Sequence, residues 1–236
     1  MATRSGAVSI GMQAIQATAR GAGVIIPLAL VYGVVLTGLD LLIYRSAMPN
    51  GQMPGQEDLI RVLLPWAGAT LGLEIVLGPI VGACAVFLGR SFVQNSTLSL
   101  YKAINFALNR YGRMFVPHLA AQISIQLGLI IIIPGILFQL QYAFVDSIAS
   151  MEDEKSVLNR SKRLTRSRRR TVFLLFLPWL LLSQGIVFVD LWALGQSPVH
   201  LFAVKTVSFI IYFVMQVSFF LLYNERTQRR PSKQTS

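Results

Sequence analysis

Residues 116–149 read VPHLAAQISIQLGLIIIIPGILFQLQYAFVDSIA, an almost unbroken apolar stretch with Pro134-Gly135 near its middle. A helix needs about 20 mostly apolar residues to cross the hydrocarbon layer. The limb at 116–133 comes close to that length and the limb at 136–149 falls short of it. A proline removes a helical hydrogen bond and clashes with the preceding turn, and Pro-Gly is a turn signal. The stretch therefore reads either as one kinked helix or as a tight helical hairpin, and the flanking charges choose between them. Arg90, Lys102, Arg110 and Arg113 precede it; Lys155, Arg160, Lys162, Arg163, Arg166, Arg168, Arg169 and Arg170 follow it. A reversal at Pro134-Gly135 puts both groups on one side of the membrane, together with Arg4, Arg20 and the tail residues Arg226, Arg229, Arg230 and Lys233. The positive-inside tendency requires that arrangement. A straight passage would split the groups, so the hairpin is the reading adopted.

Outward from this stretch, apolar runs at 24–44, 59–88, 171–194 and 199–223 supply four further spans. The fold class is all-α: a polytopic transmembrane bundle of about six spans, with both termini cytoplasmic and amphipathic helices at the cytoplasmic interface. Composition agrees. The 236 residues are 54% hydrophobic and only 13% charged, with a mean hydropathy of +0.59. Soluble domains carry roughly a quarter charged residues. One membrane domain, 1–236, is expected.

The net charge of +11 would point to nucleic acid in a soluble chain. Here the basic residues lie between apolar runs, where membrane orientation explains them, and no aromatic stacking pattern is interleaved with the arginines. No nucleic-acid partner is expected. Cys84 is the sole cysteine, which excludes an intramolecular disulfide and a multi-cysteine metal site. His118 and His200 stand alone, each near a span end where it meets water, and lack metal-ligand spacing. With no phosphate loop, nucleophile elbow or zinc-protease helix in sight, neither a cofactor nor catalysis is expected.

Three segments outside the spans have helical amphipathic patterns. In residues 1–22, Val8, Met12, Ile15 and Ala19 recur at helical spacing. Ala17-Thr18-Ala19 resembles a small-residue cleavage site, but Gln13 and Gln16 interrupt the stretch before it, which favours an amphipathic helix. In 94–115, Leu100, Ile104, Ala107, Leu108, Tyr111 and Phe115 form one stripe with Lys102, Arg110 and Arg113 off it, the pattern of an interfacial helix. In 152–170, Glu152, Asp153 and Glu154 stand at the start, where carboxylates complement a helix dipole, and arginines crowd the far end. Residues 224–236 form a basic cytoplasmic tail. The second and third segments each begin near a serine, Ser99 or Ser156, and lead into a span, so they read either as two copies of one helix-plus-hairpin unit or as the common pattern of cytoplasmic loops in this topology.

The string Ile131-Ile-Ile-Pro134-Gly135-Ile-Leu, the acidic residues after it and Ser161-Lys-Arg-Leu164-Thr165 resemble the YciC type of uncharacterised bacterial inner-membrane protein. They also resemble the membrane domain fused to some glycerophosphodiester phosphodiesterases. Leu98-Ser99-Leu100-Tyr-Lys-Ala103-Ile104 fits the same pattern, and the likeness covers about residues 60–190. It implies a polytopic helical protein of the bacterial inner membrane and no reaction, because no phosphodiesterase domain is present. The arginine density of 160–170 departs from the pattern.

Two sets of residues carry the functional expectations. Lys102, Arg110, Arg113, Arg160, Arg163, Arg166 and Arg170 form a basic cytoplasmic face for anionic lipid, each cation contributing about 1 kcal/mol near the surface. A membrane-protein partner comes second. This set makes a non-enzymatic organiser of the bilayer or of a membrane complex the leading expectation. The other set is intramembrane: Glu74 near the middle of its run, and Asp190 with Lys205, set about equally far from the turn at 195–197 and expected to pair across it. Ionisable groups in a bilayer are costly, so each asks for an explanation. A small transporter or channel using Glu74 is the alternative, and a structural role for Glu74 in helix contacts is the plainer reading of that residue. Asp40 and Asp146, near span ends, are expected to reach water or cap helices. Gly68-x-x-x-Gly72 and Gly78-x-x-x-Gly82 are expected to let helices approach inside the bundle, with a homo-oligomer interface as the rival use.

Overall fold

A computed structural model describes residues 6–47, 56–129, 131, 133–194 and 197–228, the side chains of 44–47, 56–64, 66, 67, 70, 129, 183–194 and 228 excepted. All regular structure among the described residues is helical. The elements are α1 (Ala7–Arg20), α2 (Ala22–Ala47), α3 (Gln56–Val93), α4 (Leu100–Leu129), α5 (Ile133–Gln141), α6 (Val145–Met151), α7 (Val157–Arg166), α8 (Arg169–Leu194) and α9 (Pro198–Gln228). Among the described residues, three segments are long and apolar enough to cross a membrane: Ala22–Ile43, Leu71–Val93 and Pro198–Thr227. They correspond to the expected spans at 24–44, 59–88 and 199–223. Val31, Val34, Leu42, Leu127 and Leu181 point outward and are exposed, as a surface that faces acyl chains requires and one that faces water does not. These features point to an integral membrane protein.

The chain reverses between α4 and α5. Arg110 Nε donates to Ser150 O at 2.7 Å, His118 meets Asp146, and a Cβ on Gly128 would fall against the backbone of Gly135. As α4 advances, its partners run backward in sequence, the register of an antiparallel hairpin. The kinked-helix alternative does not describe this pairing. Arg113 accordingly lies beside Glu152 and Asp153, so the basic groups flanking the hairpin share one end of the bundle.

The returning limb is broken. Between α5 and α6 the backbone of Tyr142–Phe144 is not helical, and such a break survives in a membrane only where its polar groups are buried in protein and satisfied. Tyr142 and Ala143 donate to Phe138 O and Leu140 O, and α7 supplies the partners at the Phe144 N–H and at the neighbouring Gln141 carbonyl. Ser161 Oγ donates to Gln141 O at 2.8 Å and accepts from the Phe144 N–H at 3.3 Å, while Thr165 Oγ1 reaches the same Gln141 carbonyl at 3.4 Å. Ser161, Leu164 and Thr165 are buried, as is Val157. The Ser-x-x-Leu-Thr string is therefore the clamp that holds a broken helix. Ser161→Ala, which leaves the buried Phe144 N–H without its partner, is expected to cost about 1–3 kcal/mol. Thr165→Val should cost less, and thermal unfolding of the two variants would rank them.

Several local expectations change. The segment 152–170 is not one helix lying on acyl chains: α7 covers only Val157–Arg166 and spends its apolar face on the protein. Glu152, Asp153 and Glu154 lie before it in a non-helical connector, where they serve as partners instead of complementing a helix dipole. Glu152 accepts from Arg160 at 3.2 Å and from Tyr223 OH at 2.9 Å. The segment 94–115 is not a separate interfacial helix, because α4 runs unbroken through Pro117. Its buried face is Ala103, Ala107, Met114 and His118, whereas Leu108 is exposed. The first unit thus runs straight into its span while the second is interrupted at Ser167–Arg168, so the two proposed copies differ in build. In α1 the helix is as expected: Val8, Met12 and Ile15 of its stripe are exposed, while Ile10, Ala14 and Ala17 are buried against the bundle.

The core forms around α9, whose Phe209, Phe213, Val217, Phe220 and Leu222 are buried. Helices α2 and α8 flank it antiparallel. Tyr32 lies against Phe209 with ring centroids 4.6 Å apart, and Trp179 approaches Tyr212 at 6.1 Å. These contacts set the walls of the interior described next.

Candidate functional site

Glu74 stands in the middle of α3, and Gly78 and Gly82 follow it at intervals of four, on one helix face. The antiparallel α4 presents Gln122 and His118 at the same interval. Gln122 Nε2 donates to Glu74 Oε1 at 3.2 Å, and one turn further His118 lies over Gly78, where a Cβ would collide with the imidazole. One more turn along, a Cβ on Gly82 would collide with the Asp146 carboxylate. The Gly78-x-x-x-Gly82 pair therefore admits a polar pair from two other helices. Among the described residues nothing lies within 4 Å of where a Cβ on Gly68 or Gly72 would stand.

His118 and Asp146 are drawn into the protein interior instead of reaching the exterior. His118 is 4% exposed, and its Nδ1 lies 2.9 Å from Asp146 Oδ1. With an ionised aspartate the proton sits on Nδ1, leaving Nε2 buried against Gly78 with no hydrogen-bond partner. The end-of-span position that favours water is overridden because the broken return limb brings Asp146 inward. His200 is exposed, with Nδ1 2.7 Å from Ser197 Oγ, as its position predicted.

Two adjoining cavities open from this cluster. The first, about 70 Å³, is lined by Glu74, His118, Gln122, Tyr142, Asp146 and Gln216, and is large and polar enough to hold water. The second, about 310 Å³, lies between α2, α3, α4 and α9, with Trp179 of α8 at its border and Tyr32, Gln126, Lys205 and Ser208 in its walls. Glu74, Gln122, Gln139, Trp179 and Tyr212 border both. Gln216 Nε2 donates to Tyr212 OH at 2.8 Å, extending the polar lining along α9.

Lys205 reaches this second cavity and pairs with Asp40, Nζ to Oδ2 at 3.0 Å. Asp40 is 4% exposed and Lys205 6%, so Asp40 neither reaches water nor serves as an exposed cap. Antiparallel packing of α2 on α9 makes the pair, a contact that the hairpin-based expectation for Lys205 overlooked. The side chain of Asp190, its expected partner, lies outside the described residues. Around the cavities, then, Lys205 is balanced by Asp40 and His118 is bonded to Asp146, while Glu74 is held by an amide.

The basic face divides. Arg110 and Arg113 are tied to the connector after α6, Arg160 to Glu152, and Arg168 lies 3.9 Å from Glu225. Arg163, Arg166 and Arg170 are exposed, and Lys102 is exposed beside Thr97. No group of three or more His, Cys, Asp or Glu positioned to hold a metal ion occurs among the described residues. Gln122, Gln139, Tyr212 and Gln216 were missed as site residues. Amide side chains inside apolar runs were the signal that could have found them. No family model, curated protein or solved structure matches the chain.

Proposed function

We propose that this protein binds a small cation at the buried polar interior around Glu74 and passes it across the membrane. The observation that carries this reading is the placement of Glu74. Its carboxyl borders both cavities from mid-helix and accepts from the Gln122 amide, with the His118 imidazole in the wall of the smaller cavity. A negative group in a low-dielectric interior attracts cations more strongly than it would in water. The broken α5–α6 limb beside it supports the same reading, since interrupted helices frame the solute sites of many transporters. No enzymatic step is proposed. By the resemblance to YciC-type proteins the membrane is the bacterial inner membrane, and by the positive-inside tendency the arginine-rich end faces the cytoplasm.

Reconstitution into liposomes tests the proposal. Wild-type protein is expected to pass protons, potassium ions or an organic ammonium ion above the protein-free rate, and Glu74→Gln is expected to return that flux to background. A flux that survives the change would remove Glu74 from the mechanism.

A second reading keeps the organising role, because Arg163, Arg166 and Arg170 remain exposed at the α7–α8 junction. With the apolar face of α7 committed to the protein, such binding is purely electrostatic. Neutralising all three is expected to weaken binding to anionic vesicles by roughly 3 kcal/mol, about 1 per charge. Unchanged binding would end this reading.

A further inference from the structure

The larger cavity has chemistry more specific than a negative charge. Its volume of about 310 Å³ falls at the lower end of small-ligand sites, which are typically apolar with a few placed polar groups. Leu36, Leu77 and Val81 supply aliphatic wall. The aromatic wall comes from two ring pairs, Tyr32 with Phe209 and Trp179 with Tyr212. Compact inorganic cations surrender their hydration only to several oxygen ligands, and this cavity sets one carboxylate and a few amides among hydrocarbon. Bulky ammonium ions carry diffuse charge, lose little hydration and are attracted to aromatic faces. Lys205, the cation in the walls, is neutralised by Asp40 at 3.0 Å and so does not forbid a positive ligand.

We infer that the cavity between α2, α3, α4 and α9 is a binding site for a monovalent organic cation with an apolar body. The charge rests near Glu74, and the body lies against Tyr32, Trp179 and Tyr212. This inference rests on the reading of Glu74 as the centre of a cation site, and it names the class of solute.

Benzyltrimethylammonium is the probe. Titrated calorimetrically into the full-length protein in lipid nanodiscs, it is expected to bind saturably and to resist competition by potassium ions. Glu74→Gln and Trp179→Leu should each weaken binding about tenfold or more, whereas Trp179→Phe, which keeps a ring face, should retain most of it. Melting curves of the variants identify any loss that comes from misfolding, and Trp179→Phe keeps the test valid if Trp179→Leu does not fold. Absence of saturable binding to folded wild-type protein would overturn the inference, as would binding indifferent to both positions. If the probe fails to bind while proton or potassium flux still depends on Glu74, the organic-cation class is wrong and the cation pathway stands. If binding and flux are both indifferent to Glu74, the two proposals fall together.

Discussion

Replacing Asp40 by alanine is expected to destabilise the protein by about 3–5 kcal/mol, because it withdraws the bonded carboxylate from an ammonium group that is almost wholly enclosed. The mirror change, Lys205→Ala, should cost a similar amount by uncovering Asp40. The physical asymmetry lies between losing one partner and losing both. Ion pairs in a low-dielectric interior gain little over well-packed apolar residues of like volume, since desolvation offsets most of their attraction. Asp40→Leu combined with Lys205→Met is therefore expected to fold with far less loss than either alanine variant. A double-mutant cycle on thermal unfolding measures the coupling directly. Additive single and double costs would mean that the pair does not hold α2 against α9.

Glu74→Gln is expected to separate function from stability. A glutamate that serves only to fix helix contacts would destabilise the fold when changed, by the value of its hydrogen bond with Gln122, about 1 kcal/mol or more. A glutamate kept for a solute behaves differently. Its charged form pays desolvation that packing alone would not select, and the neutral amide can still accept from Gln122. The variant is thus expected to melt at or above the wild-type temperature while its flux falls to background. Loss of stability with flux intact would return Glu74 to the structural role that its sequence position favoured.

Much of the fold was legible in the sequence because the bilayer leaves few solutions. Apolar runs located the long helices, and the bias of basic residues chose a reversal, which the contacts of Arg110 and Gly128 display between α4 and α5; Pro134-Gly135 lie in the first turn of α5 instead of forming the turn itself. The break at Tyr142–Phe144 was not legible, since the Phe144 N–H finds its partner in the Ser161 hydroxyl of another helix. Pattern alone could not distinguish an apolar stripe buried in protein from one buried in lipid, so α7 was misassigned. Of the site, only Glu74 and Lys205 stood out, as charges inside runs. His118 and Asp146 lie near the ends of their runs, and nothing local reveals that the broken limb draws them inward. Asp40 was misjudged for the same reason, because its partner belongs to the last helix.

If the Glu74 carboxylate is a working cation site, it must be reachable from within the membrane and protected when a cation occupies it. A hydrophobic carbodiimide, applied to the protein in lipid and followed by peptide mass spectrometry, tests this most directly, because such reagents enter membranes and modify carboxyl groups there. The expected result is an adduct at Glu74 that forms more slowly when benzyltrimethylammonium is present. An unmodified Glu74, or one modified at a rate that neither this cation, potassium ions nor a change of pH alters, would contradict a cation site there.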